Sequence, residues 1–516
     1  MSDRDDGLYA HQASPVYGQD PEKNSTRAGN YENVHIHGLE TSASTSLHRG
    51  LKARHISMIA IGGALGTGLI IGTGKSLAQA GPGKYLVITP NQLTAASLVI
   101  QYWCPREKVN PGVWIAIFLV VILLVNGIGI AKFGEIEFWL SSVKVLVMLG
   151  IIIFAIVIAC GGGPNGDAPG FRYWHNPGAF AELYDTGATG KFLGFWSVLL
   201  NATFAYLGTE LVGVTASEAQ NPRRNIPKAI KLTFVRICVF YILSVFLVGL
   251  IVPYNSKSLA FANAQKTGAS ASPFVVAAIV AGVKVLPHIL NGSILIFVLS
   301  ASNTDLYIAS RTLYSISSDG NAPAIFKRVN KRGVPYVSLL FCAAVACLAF
   351  LNVAESSTVV FGYFVNLVTV FGILTWVSIL VTYLFFLRAR RAQNIPDSSM
   401  PYVAPQGYWG TAIALFFVIL VTLTKNYDVF VHTPARQFDY KNFITGYLGI
   451  PVYIFLFLGH KLITKSRILG PHEVDFLTGK DIIDAQEREF LEEQEAKHAN
   501  AEGMTKFYNR YVSWLF

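Results

Sequence analysis

One apolar stretch, Ile56 to Gly81 (ISMIAIGGALGTGLIIGTGKSLAQAG), most constrains how this chain can fold. It is hydrophobic enough to enter a bilayer, yet Gly62, Gly63, Gly66, Gly68, Gly72 and Gly74 interrupt it. In hydrocarbon an unsatisfied backbone N–H or C=O costs several kcal/mol, so a spanning segment normally stays helical. Glycine weakens that helix by about 1 kcal/mol per position relative to alanine. Two readings follow. In one, the helix breaks at mid-membrane and turns freed N–H groups and a positive half-helix end toward an anionic group such as a carboxylate. In the other, Gly62-xxx-Gly66 lets a neighbouring helix pack closely.

The rest of the chain fixes the class. Of 516 residues, 52% are hydrophobic and only 14% charged, well below the roughly 25% charged residues of a soluble protein. Apolar runs of near-bilayer length follow one another, so the chain is an all-α polytopic membrane protein. The net charge of +10 does not point to nucleic acid, because the lysines and arginines sit in short loops where they set orientation. Cys104, Cys160, Cys238, Cys342 and Cys347 lie in or beside apolar runs without CxxC spacing, which suggests neither a disulfide framework nor a metal site.

Residues 1–50 are polar and aperiodic and are expected to form a disordered cytoplasmic tail. Residues 51–467 form the membrane domain, and 468–516 a second cytoplasmic tail with an acidic amphipathic segment, DIIDAQEREFLEEQEAK. Spans are expected at Val113–Ile130, Leu140–Ala159, Phe192–Ala216, Thr233–Val252, Leu286–Arg311, Val337–Leu351, Val359–Leu387, Thr411–Leu423 and Phe443–Leu462. Basic loops after Ala216, Arg311, Leu387 and Leu462 alternate with poorer ones, and the positive-inside rule places the basic set in the cytoplasm.

Counting back, an odd number of crossings must precede Val113, but the chain offers two, Ile56–Gly81 and Lys84–Trp103. The second segment, KYLVITPNQLTAASLVIQYW, carries Pro90, Asn91, Gln92, Thr94 and Ser97 and makes a poor lipid-facing helix. Surrendering that crossing is expected to cost less than inverting nine, which leaves about ten spans. A second interrupted run, NATFAYLGTELVG around Glu210, falls where an inverted repeat would place a partner for the glycine-broken helix. Repeat arithmetic is again one crossing short.

GLKARHISMIAIGGALGTGLIIGTG, VITPNQLTAASLVIQYW, NATFAYLGTELVGVTASEAQNPRR, SASNTDLYIASRTL, FGYFVNLVTVFGILTWVSIL, FITGYLGIPVYIFLFLGHKL and the terminal VSWLF together resemble the fungal amino-acid permeases of the amino acid–polyamine–organocation superfamily. The resemblance runs from about Gly50 to Phe516. It implies a five-plus-five inverted-repeat transporter with two extra C-terminal helices. It further implies proton-coupled import of amino acids across the plasma membrane by alternating access, with no cofactor and no enzymatic step. Lipid surrounds such a protein, and trafficking or ubiquitylation machinery reads its tails.

In that family a second span and the start of the third stand between segments like Gly81–Gly83 and Lys84–Tyr85; here Gly83 joins Lys84 directly. One helix is thus missing from the first repeat. The alternative function is a sensor-like or defective variant that does not transport and is retained in the endoplasmic reticulum. Ser217 and Thr304 are lesser departures, where the family usually has glycine and serine.

By the same resemblance Gly62, Gly63, Gly66, Thr67 and Gly68 would hold a substrate carboxylate. Glu210, an acid inside a span and therefore functional by default, would bind the ammonium group or take the coupled proton. A structural hydrogen bond is the alternative for Glu210. Ser300, Asn303 and Tyr307, at i, i+3 and i+7, share a helical face as a substrate wall or as polar glue between helices. Asp305 is expected to pair with Arg311 or a lysine, and Phe361, Phe364 and Phe371 to pack.

The alternation of basic loops predicts that a cysteine introduced at Tyr184 is labelled by an impermeant reagent on intact cells, while one at Arg332 is protected. The reverse pattern contradicts the assignment.

Overall fold

The computed structural model describes residues 54–56, 58, 82–209, 221–256, 272–318, 320–353, 357–431, 438–465, 467–477 and 480–499. They form helices α1 (Pro82–Ile100), α2 (Pro111–Gly127), α3 (Ile130–Ala159), α4 (Gly187–Ser197) and α5 (Leu199–Tyr206). After these come α6 (Pro222–Ile251), α7 (Pro273–Val280), α8 (Leu286–Ser318), α9 (Tyr336–Ala346) and α10 (Ser357–Ala392). The last are α11 (Gly407–Thr424), α12 (Tyr440–Tyr447), α13 (Gly449–Thr464) and α14 (Lys480–Ala499). No strand occurs among the described residues. Seven of these helical stretches are long and apolar enough to cross a membrane: Ile130–Ala159, Pro222–Ile251, Leu286–Ser318, Tyr336–Val353, Val359–Ala392, Gly407–Phe430 and Tyr440–Thr464. The all-helical polytopic class expected from composition is the class observed.

Helix ends follow local chemistry. Asn110 caps α2 by accepting from the Gly112 N–H at 2.8 Å, with Pro111 in the first turn. Asn221 and Pro222 repeat the pattern at α6, where the Asn221 side chain accepts from Arg224 N–H. A capping side chain satisfies an otherwise orphaned donor, and proline at the first position has no N–H to lose. Within α6, Ile237–Leu243 widens into a π-helical segment.

Loops gather at two ends of the bundle. At the basic end Gly129 lies against Arg332. There too Gln393 donates to the Val474 carbonyl at 2.8 Å, and Phe386 meets Phe476 with ring centroids 5.6 Å apart. Helix α14 lies on the protein at this end, where Asp484 and Glu487 both pair with Arg223 of α6, the latter at 3.0 Å. At the opposite end Arg106 donates to the Val353 carbonyl at 2.6 Å, and Tyr427 donates to the Leu193 carbonyl at 2.7 Å.

The main departure from expectation is α1. Within Lys84–Trp103 the chain is helical to Ile100 and is not among the seven stretches long and apolar enough to cross a membrane; α8, α10, α2 and α9 pack around this helix. Every side chain from Ile88 to Val99 is buried, so Thr89, Asn91, Gln92, Thr94 and Ser97 meet protein and not lipid. Thr94 turns its hydroxyl to the Pro90 carbonyl at 2.9 Å, and Ser97 accepts from Asn352 of the α9 extension at 2.8 Å. Hydropathy judges a segment against hydrocarbon, and α1 is enclosed by protein from Ile88 to Val99.

Direction follows from its contacts. Gln92 meets Asp305 and Tyr102 meets His288, so α1 runs antiparallel to α8 and starts toward the basic end. Arg54 and His55 pair with Glu135 in the second turn of α3, near that same end.

Candidate functional site

Two apolar cores are stacked along the bundle. One takes Val99 from α1, Met148 and Ile152 from α3, and Phe297 from α8. The other takes Leu93, Phe133 and Tyr307 from the same three helices. Between them lies a polar layer, built from Glu137, Ser141 and Lys144 on α3, Ser300, Asn303 and Asp305 on α8, Gln92 on α1 and Asn126 on α2. All of these are buried.

Glu137 and Lys144 stand seven residues apart, two turns along one face of α3, with Ser141 between them. Neither has any solvent-accessible side chain. Lys144 Nζ is 3.5 Å from Glu137 Oε1. The Ser300 hydroxyl donates a short bond to the same oxygen, and Ser141 adds a longer one at 3.4 Å. Asn303 donates to Oε2 at 3.4 Å. A carboxylate offers about four acceptor sites, and here they meet one cation and three polar hydrogens. Asn126 of α2 extends the network, donating to the Asn303 side-chain oxygen at 2.9 Å.

Gln92 donates to Asp305 at 3.3 Å, and Arg236 of α6 and Asp305 lie within electrostatic reach of Lys144. On the basic side, Phe133 stacks on Tyr307 at 4.3 Å, and the Arg311 guanidinium covers the Tyr307 ring at 3.9 Å. Arg311 is therefore held against an aromatic face, and Asp305 has Gln92 among its partners.

Taking two charges out of water costs several kcal/mol per ion, which their attraction repays only with good geometry and further hydrogen bonds. Replacing a buried pair by apolar residues of similar volume is often neutral for stability. Removing either partner would leave the other as an uncompensated buried charge.

Of the residues the sequence singled out, Ser300 and Asn303 come together on one face of α8, and both are spent on Glu137. Phe361 and Phe364 are buried in the bundle as packing residues. Gly62, Gly63, Gly66, Thr67, Gly68 and Glu210 lie outside the described residues. Helix α5 leads toward Glu210 and ends at Tyr206, whose ring stacks on the buried Tyr241 of α6 at 5.3 Å. The Glu137–Lys144 pair was not singled out from sequence. Its signal was Lys144, an ionisable residue inside the expected Leu140–Ala159 span.

Comparison with known proteins adds a second line. The profile described as "Amino acid permease" matches residues 84–472. The dicarboxylic amino acid permease of Saccharomyces cerevisiae is 46% identical over 533 aligned positions, covering 92% of this chain and 87% of that protein. An uncharacterized amino-acid permease of Schizosaccharomyces pombe is 39% identical, covering 88% of this chain and 95% of that protein. The proline-specific permease of Emericella nidulans is 38% identical, with 86% and 90% covered. The 533 positions of the first alignment exceed the 516 residues of the whole chain, so residues of that relative face gaps here. The profile match begins at Lys84.

Breaking a buried pair by removing one partner costs about 3–5 kcal/mol. Glu137→Gln and Lys144→Met should each lower the thermal stability of the purified protein, and the double substitution should cost clearly less than their sum. Strict additivity in that cycle would show that the two side chains do not act as a pair.

Proposed function

This chain belongs to the amino acid permease family, and from that premise we propose that it imports amino acids across the plasma membrane with protons, by alternating access. The observation that carries the proton step is the buried Glu137–Lys144 pair, with Ser300 and Asn303 held on its carboxylate. A proton on Glu137 would remove the negative charge that pairs with Lys144 where α3, α8 and α1 meet, which gives a helix rearrangement a local cause. In the same proposal Gly62, Gly63, Gly66, Thr67 and Gly68 bind the substrate carboxylate through backbone N–H groups and one hydroxyl. Glu210 takes the ammonium group or a second proton. Ser300 and Asn303 contribute to this site through Glu137. Acidic amino acids are the substrates to offer first, a choice supported by the 46% identity to a dicarboxylic amino acid permease.

A second reading, that this chain keeps the site but does not transport, rests on its own observation. Ile56 packs in the basic-end core next to His55, which pairs with Glu135, and Pro82 opens α1 toward that same end. One crossing needs about 20 helical residues, and a return to the same side needs two. Residues 57–81 are too few for two crossings and have the wrong parity for one. Gaps opened in the alignment and a profile match beginning at Lys84 agree with a missing neighbour for the first helix.

Uptake of labelled glutamate, proline and lysine in cells lacking their own permeases tests both readings. The two forms compared are this chain and a chimera carrying the relative's extra segment between Gly83 and Lys84. The proposal expects accumulation by the chimera, with alkalinisation of the medium, and its loss on Glu210→Gln at normal surface expression. Little uptake by the 516-residue chain itself supports the second reading, and equal uptake by both forms overturns it. A chimera that reaches the surface and moves none of the three refutes the import assignment.

A further inference from the structure

Between the basic ends of α10 and α11 lies a cavity of about 500 Å³ that plays no part in the polar layer. Its wall joins the charged side chains Arg390, Arg391 and Asp397 to the apolar Leu387, Ile395 and Val403, with Tyr408 beside them. Arg390 is half-occupied by an ion pair with Asp397. Arg391 is exposed and has no carboxylate partner among the described residues. The cavity therefore presents a guanidinium fork with donors to spare beside a greasy wall.

Its depth is marked independently. Trp409, 77% exposed, and Tyr408 stand edge to face at the start of α11. Exposed tryptophan and tyrosine collect at the headgroup level of a bilayer. Beyond them Phe385 of α10 and Phe416 of α11 face outward, as lipid-contacting residues do. The cavity thus lies beside this exposed aromatic pair, at the end of the bundle whose loops carry the arginines and lysines.

We infer that this cavity binds the phosphate of an anionic phospholipid from the cytoplasmic leaflet, with Arg391 as its principal ligand and Leu387, Ile395 and Val403 against the glycerol and first acyl carbons. A guanidinium pairs with phosphate oxygens through two parallel N–H bonds, and basic pockets between spans on the cytoplasmic side suit lipid headgroups. A free phosphate would use the arginines but leave the apolar wall without purpose. The lipid uses both.

The test measures lipid retention by the purified full chain. Native mass spectrometry counts bound lipid, and thermal unfolding is followed in phosphatidylcholine nanodiscs with and without phosphatidylserine. Wild type should retain phosphatidylserine and unfold at higher temperature with it. Arg391→Gln should weaken that affinity by about fivefold, the worth of one basic residue at a membrane surface. Ala404→Trp, which fills the cavity with its charges intact, should weaken it as well and carries the test if the first variant folds poorly. Lys331→Gln, at the same end but outside the cavity, should change nothing. Unaltered binding in both cavity variants, or an equal loss in Lys331→Gln, overturns the site. Reproduction of the stabilisation by inorganic phosphate at millimolar concentration assigns the cavity to a free anion and overturns the lipid reading.

Discussion

Hydrocarbon offers no hydrogen bonds, and the architecture depends on how the chain meets that constraint at α1. Thr89, Asn91, Gln92, Thr94 and Ser97 would each be costly against lipid. Gln92, Thr94 and Ser97 are tolerable because Asp305, the Pro90 carbonyl and Asn352 give them hydrogen-bond partners, whereas the buried Asn91 amide has none among the described residues. The requirement works in both directions: α1 needs the ring of helices, and the ring has no centre without α1. Ser97 with Asn352 and Gln92 with Asp305 then fix the register of α1 against α9 and α8, as apolar contacts alone would not.

The polar layer has the same logic at higher stakes. Glu137 and Lys144 lie between two apolar cores that would exclude water from them. In such surroundings a charge pair is strong while intact and costly once half removed. Three of the helices meeting here, α1, α3 and α8, also carry both cores.

Much of the fold was legible because lipid-facing helices obey composition. Expected spans such as Val113–Ile130, Thr411–Leu423 and Phe443–Leu462 coincide with α2, α11 and α12–α13 to within a few residues. Legibility failed where side chains face protein. Helix α3 begins ten residues before the expected Leu140, because Lys132, Glu135 and Glu137 break the apolar run without breaking the helix. Helix α1 was judged a poor span for the very residues that its neighbours enclose. Ser300 and Asn303 could be read as one face from their spacing. Their partner could not, since Glu137 lies on another helix more than 160 residues away. The glycine-rich stretch and Glu210 stand where the sequence left them, as proposals.

The account turns on the claim that Glu137 and Lys144 couple the proton to the substrate. Its most direct measurement compares the segment-restored protein with its Lys144→Met form in proteoliposomes, under an imposed inward proton gradient. The account predicts that Lys144→Met still exchanges labelled amino acid across the vesicle membrane but no longer accumulates it against a gradient. Proton-driven accumulation by Lys144→Met equal to that of the unsubstituted protein would contradict it.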